Sequence, residues 1–198
     1  MEYQTTQRRL WLYNWPGWTL TSIQMPGTGG VQVIGFDPVD QGVWCGVTGN
    51  IFKWYGSAFS PLTNVPLGAL GAAAFDSDRR VVAIHLLPSG PSSFWEWDGN
   101  SWTAHAWPAT APGSLTHVPG HGILLLEGRR TWTWDGSTWS LHTTPHLLPA
   151  DVSGVLPFYD AARRKVRGLA VRTIYTHEEI WDLQFQELTA RPSEPQPG

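Results

Sequence analysis

Trp95-Glu96-Trp97-Asp98-Gly99-Asn100-Ser101-Trp102 recurs as Trp132-Thr133-Trp134-Asp135-Gly136-Ser137-Thr138-Trp139. Worn copies flank the pair. Trp11-Leu12-Tyr13-Asn14 ends in Trp18, Phe52-Lys53-Trp54-Tyr55-Gly56 ends in Phe59, and Trp181-Asp182-Leu183 ends in Leu188. Their central positions, Tyr13, Trp54, Trp97, Trp134 and Leu183, are 41, 43, 37 and 49 residues apart. Self-similarity at that period marks a repeat architecture, in which each repeat is a small unit that buries its faces against its neighbours.

A second phrase interleaves with the first. Phe36-Asp37 leads to Gly42-Val43-Trp44, Phe75-Asp76 to Arg80-Val81-Val82-Ala83-Ile84, and Tyr159-Asp160 to Lys165-Val166. Val118-Pro119-Gly120 replaces the aromatic-Asp pair in the third copy, and Ile123-Leu124-Leu125-Leu126 follows on schedule. Each period therefore holds four short strand candidates separated by turn residues. In the clearest copy they are 70–75, 80–87, 93–97 and 101–105. Asp98-Gly99-Asn100 suits a tight hairpin, because Asp tolerates left-handed backbone and Gly prefers it. No segment shows an apolar pattern at helical spacing, and 21 Gly and 16 Pro interrupt every candidate helix.

Period-2 geometry puts Trp95 and Trp97 on one face of a sheet and Glu96 on the other. Trp102 lies across the hairpin within reach of one of them. A ring that buries about 150–250 Å² contributes up to roughly 4–6 kcal/mol. The tryptophans in register thus read as mortar between neighbouring sheets.

Sheets of this kind, repeated and packed face to face, are the blades of a β-propeller. Phe75-Asp76, Arg79-Arg80-Val81-Val82 and Trp95–Trp102, with Tyr159-Asp160 and Trp132–Trp139 in support, resemble the bacterial kelch-like propeller repeat. The resemblance touches residues 10–190. The Gly-Gly doublet that usually closes the second strand is replaced by Leu86-Leu87-Pro88 in one copy and Glu127-Gly128 in another. The expected fold is all-β: a small β-propeller of four to five blades in one domain, 1–190. Four full four-stranded repeats fall at about 31–62, 70–105, 113–142 and 153–190, with an N-terminal half-blade at 10–22. A compact ring sealed by that half-blade is the expected closure, with an open arc completed by another chain as the alternative, and the Pro-rich tail 191–198 reads as disordered.

Composition excludes several classes. A formal net charge of −3 argues against a nucleic-acid partner, since such proteins concentrate basic charge. The one basic run, Arg163-Arg164-Lys165-Val166-Arg167, reads as a solvated turn between strands. No stretch approaches the ~20 apolar residues of a membrane span, and the N-terminus has no apolar run of signal-peptide length. A cytoplasmic location is the expectation. Cys45, the single cysteine, admits no intrachain disulfide and reads as a buried structural thiol.

No catalytic motif is assembled in sequence: there is no Gly-x-Ser-x-Gly elbow, phosphate loop or dinucleotide fingerprint. His117 and His121, and His142 and His146, are four apart, but across turns where helical spacing carries no meaning, so no metal site and no cofactor are expected. His177-Glu178-Glu179 reads as a solvated strand entrance rather than a proton-transfer pair.

Aromatics outside the register carry the functional expectation. Trp107 lies in the Pro-rich connection Ala106–Pro112, and Tyr175 in the connection Arg172–His177. Kelch-like proteins usually bind through the face where such loops gather, so the resemblance implies a partner site that includes Trp107, Arg172, Tyr175 and His177. The expected function is a non-enzymatic binding or scaffold module for a protein partner or for self-association. The alternatives are a small carbohydrate-binding lectin, and a channel-sited enzyme or metal protein using His177 and Glu178, with His85 or His121.

Overall fold

The structure, a computed structural model, describes residues 9–14, 17–24, 31–47, 49–88, 93–109, 111–128, 130–142, 152–172 and 178–183, with side chains described between Gln32 and Leu169. The protein is all-β. The described residues form seventeen strands, all paired antiparallel, and no helix. No helix is therefore long and apolar enough to cross a membrane.

The chain divides into two compact units, Met1–Pro66 and Leu67–Gly198. The first contains a hairpin, β1 (Arg9–Asn14) and β2 (Gly17–Gln24), and a four-stranded sheet of β3 (Val31–Asp37), β4 (Gly42–Val47), β5 (Asn50–Trp54) and β6 (Phe59–Pro61). The second contains two further four-stranded sheets. One is β7 (Ala69–Asp76), β8 (Val81–Leu87), β9 (Phe94–Trp97) and β10 (Trp102–His105). The other is β11 (Ser114–Val118), β12 (Gly122–Glu127), β13 (Arg130–Trp134) and β14 (Trp139–His142). A last sheet has three described strands, β15 (Val152–Asp160), β16 (Lys165–Arg172) and β17 (Glu178–Leu183). Every sheet is a meander in chain order, as in a propeller blade. In the clearest copy, the four strands expected from sequence all form, with ends shifted by one residue or less. The last sheet's fourth strand and the tail 191–198 fall outside the described residues.

The turn between the first and second strands has one recipe. Asp37, Asp76 and Asp160 each end a first strand, and each accepts backbone N–H bonds from the turn that follows. Asp37 takes Val39 at 3.1 Å, Asp76 takes Asp78 at 3.0 Å and Arg79 at 3.1 Å, and Asp160 takes Arg163 at 3.1 Å. The residue four after the Asp then turns left-handed: Gln41 and Arg80 at φ 58°, Arg164 at φ 53°. Side chains seldom adopt that region, and the Asp clamp holds it. The copy without the Asp solves the same problem with glycine: four residues after Val118 stands Gly122, φ 81°.

The turns between third and fourth strands repeat in the same way. Asp98 Oδ1 accepts the amides of Asn100 and Ser101, and Asp135 Oδ1 those of Ser137 and Thr138, all at 2.8 Å. The left-handed residue is the glycine alone, Gly99 at φ 100° and Gly136 at φ 103°. The Asp instead acts as an acceptor that caps a four-residue loop.

Within the second unit consecutive sheets stack face to face. Ala72, Ala74, Ala83, Phe94 and Trp107 pack against Leu115, Ile123, Leu125 and Trp134. Leu124 and Leu126 point the other way, to Val166 with Val155 and Tyr159 at the margin. Both faces of β12 are thus covered, which is why its sequence is a continuous apolar run rather than an alternation.

Candidate functional site

The same stacking decides where polar side chains go. Glu96 lies between two tryptophans on β9 and faces away from them, toward the sheet β11–β14. It is 7% exposed there. Its carboxylate takes Arg79 at 2.6 and 3.3 Å and the indole N–H of Trp134 at 2.8 Å, and lies 3.2 Å from His105 Nε2. Arg79 in turn donates to Asp76 at 2.7 Å. Burial pushes the Asp76 carboxyl upward, but the approach of His117 and the hydrogen bonds of Arg79 outweigh it and hold the group well below the usual carboxylate range. In the first unit Lys53 plays the part of Arg79. It bonds Asp37 at 2.8 Å and also Asp40, with its Nζ 4.6 Å from the centre of the Trp44 ring. Each of these charges is satisfied by partners from its own fold.

Outside this charged seam, between β10 and the β13–β14 hairpin, lies an open groove of about 490 Å³. Trp132, Trp134 and Trp139 line it with His105, Pro108 and Thr138. Trp134 is 3% exposed and serves as mortar: Phe94 meets it edge-on at 5.5 Å and Trp139 at 5.0 Å. Trp132 and Trp139 are only half-buried and show part of their rings to the groove. Trp139 Nε1 is bound to Ala106 O at 2.9 Å. Trp132 Nε1 is buried and meets no acceptor among the described residues. Leu141 sits directly opposite Trp132 on β14 and is 53% exposed. Opposed residues share a face, so an apolar side chain open to solvent adjoins the Trp132 ring.

Trp107 is elsewhere than its Pro-rich surroundings suggest. It is 7% exposed, stacked on His85 with ring centres 3.8 Å apart and planes 4° apart, and it donates to Ala111 O at 3.3 Å. Phe94 and Trp139 close around it. The expectation of a rim-exposed aromatic is corrected at this position: the connection folds its indole into the core, where a fully buried ring stabilises more than an exposed one. Arg172 ends β16 opposite Val152, and Glu178 opens β17 opposite Val171. Their side chains, and Tyr175 and His177 altogether, lie outside the described residues.

The remaining candidates have structural surroundings. His85 is fully buried, and burial lowers its pKa to about 4. His121 occupies the β11–β12 turn, where its N–H donates to Val118 O at 2.9 Å. His142 Nε2 lies 2.7 Å from the Thr133 hydroxyl. Cys45 is buried and its thiol pKa is raised by that burial, so it is not poised as a nucleophile. Arg163 and Arg167 reach Asp160 at the β15–β16 turn. Sequence reading missed Glu96 and the groove. The signal for Glu96 was a carboxylate flanked by tryptophans at period 2.

No family model matches the sequence, and no curated protein matches it.

Proposed function

We propose that this chain is a non-enzymatic binding module of the kelch-like propeller type, which takes an extended, apolar segment of a protein partner into the groove beside Trp132. The groove carries the reading: an open, tryptophan-lined channel with an exposed leucine opposite Trp132. The strand beside it, β14, is the last in its sheet. An edge strand offers main-chain hydrogen bonds to an added peptide, while the aromatic lining selects its side chains. The paired state of the buried charges supports a binding rather than a catalytic role.

Selection from a displayed peptide library tests this. Peptides rich in aliphatic, aromatic or proline residues are expected. Their affinity should fall about tenfold or more in Trp132→Ala and in Leu141→Asp, each loss being worth about 1–2 kcal/mol of contact energy. Binders indifferent to both substitutions would overturn the assignment. The tryptophan faces also favour a second reading, a carbohydrate ligand stacked on Trp132 or Trp139. A glycan array that returns a binder lost in Trp132→Ala, while the peptide selection fails, would replace the first reading with this one.

A further inference from the structure

The structure carries one feature that the groove does not use. At the β7 edge of the β7–β10 sheet, across from the β10 edge that borders the groove, the turn after β7 meets the end of β11. His117 on β11 points its Nε2 at two carboxylates of the preceding sheet: 3.3 Å from Asp76 Oδ1 and 3.3 Å from Asp78 Oδ2. One ligand atom from each residue lies within 4.8 Å of the other two. The His117 side chain is 10% exposed, and Nε2 is buried without an aligned hydrogen bond to anything.

We propose that Asp76, Asp78 and His117 bind a divalent cation of the zinc type, which clips the sheet β7–β10 to the sheet β11–β14. Three observations carry this. First, two of the three ligand-to-ligand spacings are those of coordinating atoms, and the third lies within 4.8 Å. Metal–nitrogen and metal–oxygen bonds of about 2.0–2.2 Å set tetrahedral ligand edges of roughly 3.4 Å, and the two His117–carboxylate distances are 3.3 Å. Second, each ligand residue is held in place by further hydrogen bonds, as metal ligands usually are. Arg79 holds Asp76 Oδ2 at 2.7 Å, while Oδ1, the oxygen toward His117, is fixed by the amides of Asp78 and Arg79; Gly120 N–H fixes Asp78 Oδ2, the oxygen toward His117, at 2.6 Å. Ser77 Oγ lies 3.3 Å from His117 Nδ1. A proton on Nδ1 donated to that hydroxyl leaves the Nε2 lone pair free for the ion. Third, two carboxylates and one imidazole supply the mixed oxygen and nitrogen set that zinc accepts, with water completing the shell on the exposed Asp78 side. His121, four residues on, takes no part; the partner of His117 is a turn about forty residues earlier.

Calorimetric titration of zinc chloride into the untagged, chelator-stripped full chain tests the site, with thermal melts run alongside. One equivalent should bind and raise the melting temperature, since an ion that binds only the folded state stabilises it. Asp78→Ala, whose side chain is half exposed, keeps the fold and should weaken binding about tenfold or more. His117→Gln should remove the site. The tryptophan emission of each variant checks folding, and Asp78→Ala decides the matter alone if His117→Gln unfolds. Absence of a stoichiometric site, or one that binds as tightly in Asp78→Ala, would overturn the assignment.

Discussion

Glu96 and Trp134, 38 residues apart in sequence, are joined at 2.8 Å by an indole N–H donated to a buried carboxylate. The same carboxylate holds both terminal nitrogens of Arg79. One side chain therefore ties the β7–β8 turn, its own hairpin and the neighbouring sheet. A charge in that position is costly to desolvate and is retained only while its partners remain.

Removing it should show as a loss of stability. Glu96→Ala leaves Arg79 with Asp76 as its remaining carboxylate partner and strands the Trp134 N–H, and is expected to cost about 3 kcal/mol. Glu96→Gln keeps an acceptor for Trp134 and should cost less. Urea unfolding followed by tryptophan fluorescence measures both. A loss under about 0.5 kcal/mol for the alanine variant would show that the carboxylate is not a joint of the seam.

Acid should weaken the fold before the carboxylates titrate. The pKa of His85 falls from 6.5 unfolded to about 4 folded because burial disfavours its charged form. Below pH 6.5 the unfolded chain takes up a proton that the folded chain refuses, so stability declines as the pH drops across that window, by about 3 kcal/mol at its lower end. Asp76 acts later. Its depressed pKa stabilises the fold above its unfolded value of 3.8, and that contribution is lost only as the pH falls below it. His85→Phe preserves a ring against Trp107 and should flatten the stability curve between pH 6.5 and 4. An unchanged slope would assign the acid sensitivity to other groups.

Gly122 fills the left-handed position that Gln41, Arg80 and Arg164 occupy elsewhere, and a Cβ there would meet the carbonyl oxygen of Trp134. Gly122→Ala should therefore lose about 2 kcal/mol or more from backbone strain and collision combined. Arg80→Gly, at a position that already tolerates a side chain, should be close to neutral. Thermal melts of the two variants make the comparison, and equal melting temperatures would refute it.

Trp107 and Trp132 separate structure from recognition. Trp107→Ala empties a core site and is expected to cost about 3–5 kcal/mol of stability. At temperatures where that variant remains folded, its affinity for a groove-binding peptide should stay within about threefold of the parent. Trp132→Ala should show the reverse pattern. Fluorescence polarisation with a labelled peptide distinguishes them.

Much of the architecture was legible in the sequence, because its signals are local. Asp98-Gly99 and Asp135-Gly136 fix hairpins within a few residues, and the apolar run Ile123–Leu126 needs only its own composition to read as a strand. The seam was not legible for the opposite reason. Whether Glu96 is solvated depends on what covers the second face of β9, and that cover comes from Trp134 in the next repeat. His117 and Asp76 meet only because β7 and β11 are neighbours. Trp107 misled, since a proline-rich connection usually runs over the surface and this one turns its indole inward onto His85. The groove was half visible: the Trp-x-Trp phrase located its rings, but that Trp132 stays half-buried beside a buried Trp134 depends on the neighbouring sheet, which the phrase does not contain.

The Asp-clamped turn has a consequence for how the chain assembles. Asp76 grips amides only two and three residues ahead, and β7 and β8 pair directly across it. Each first hairpin can therefore close from its own sequence, at small loop-closure entropy, before any neighbour is present. The seams come afterwards, because Glu96 and Trp134 belong to different repeats. Folding is thus expected to run as zippering from several independent starting points, with unfolding limited by the rupture of seams rather than of turns.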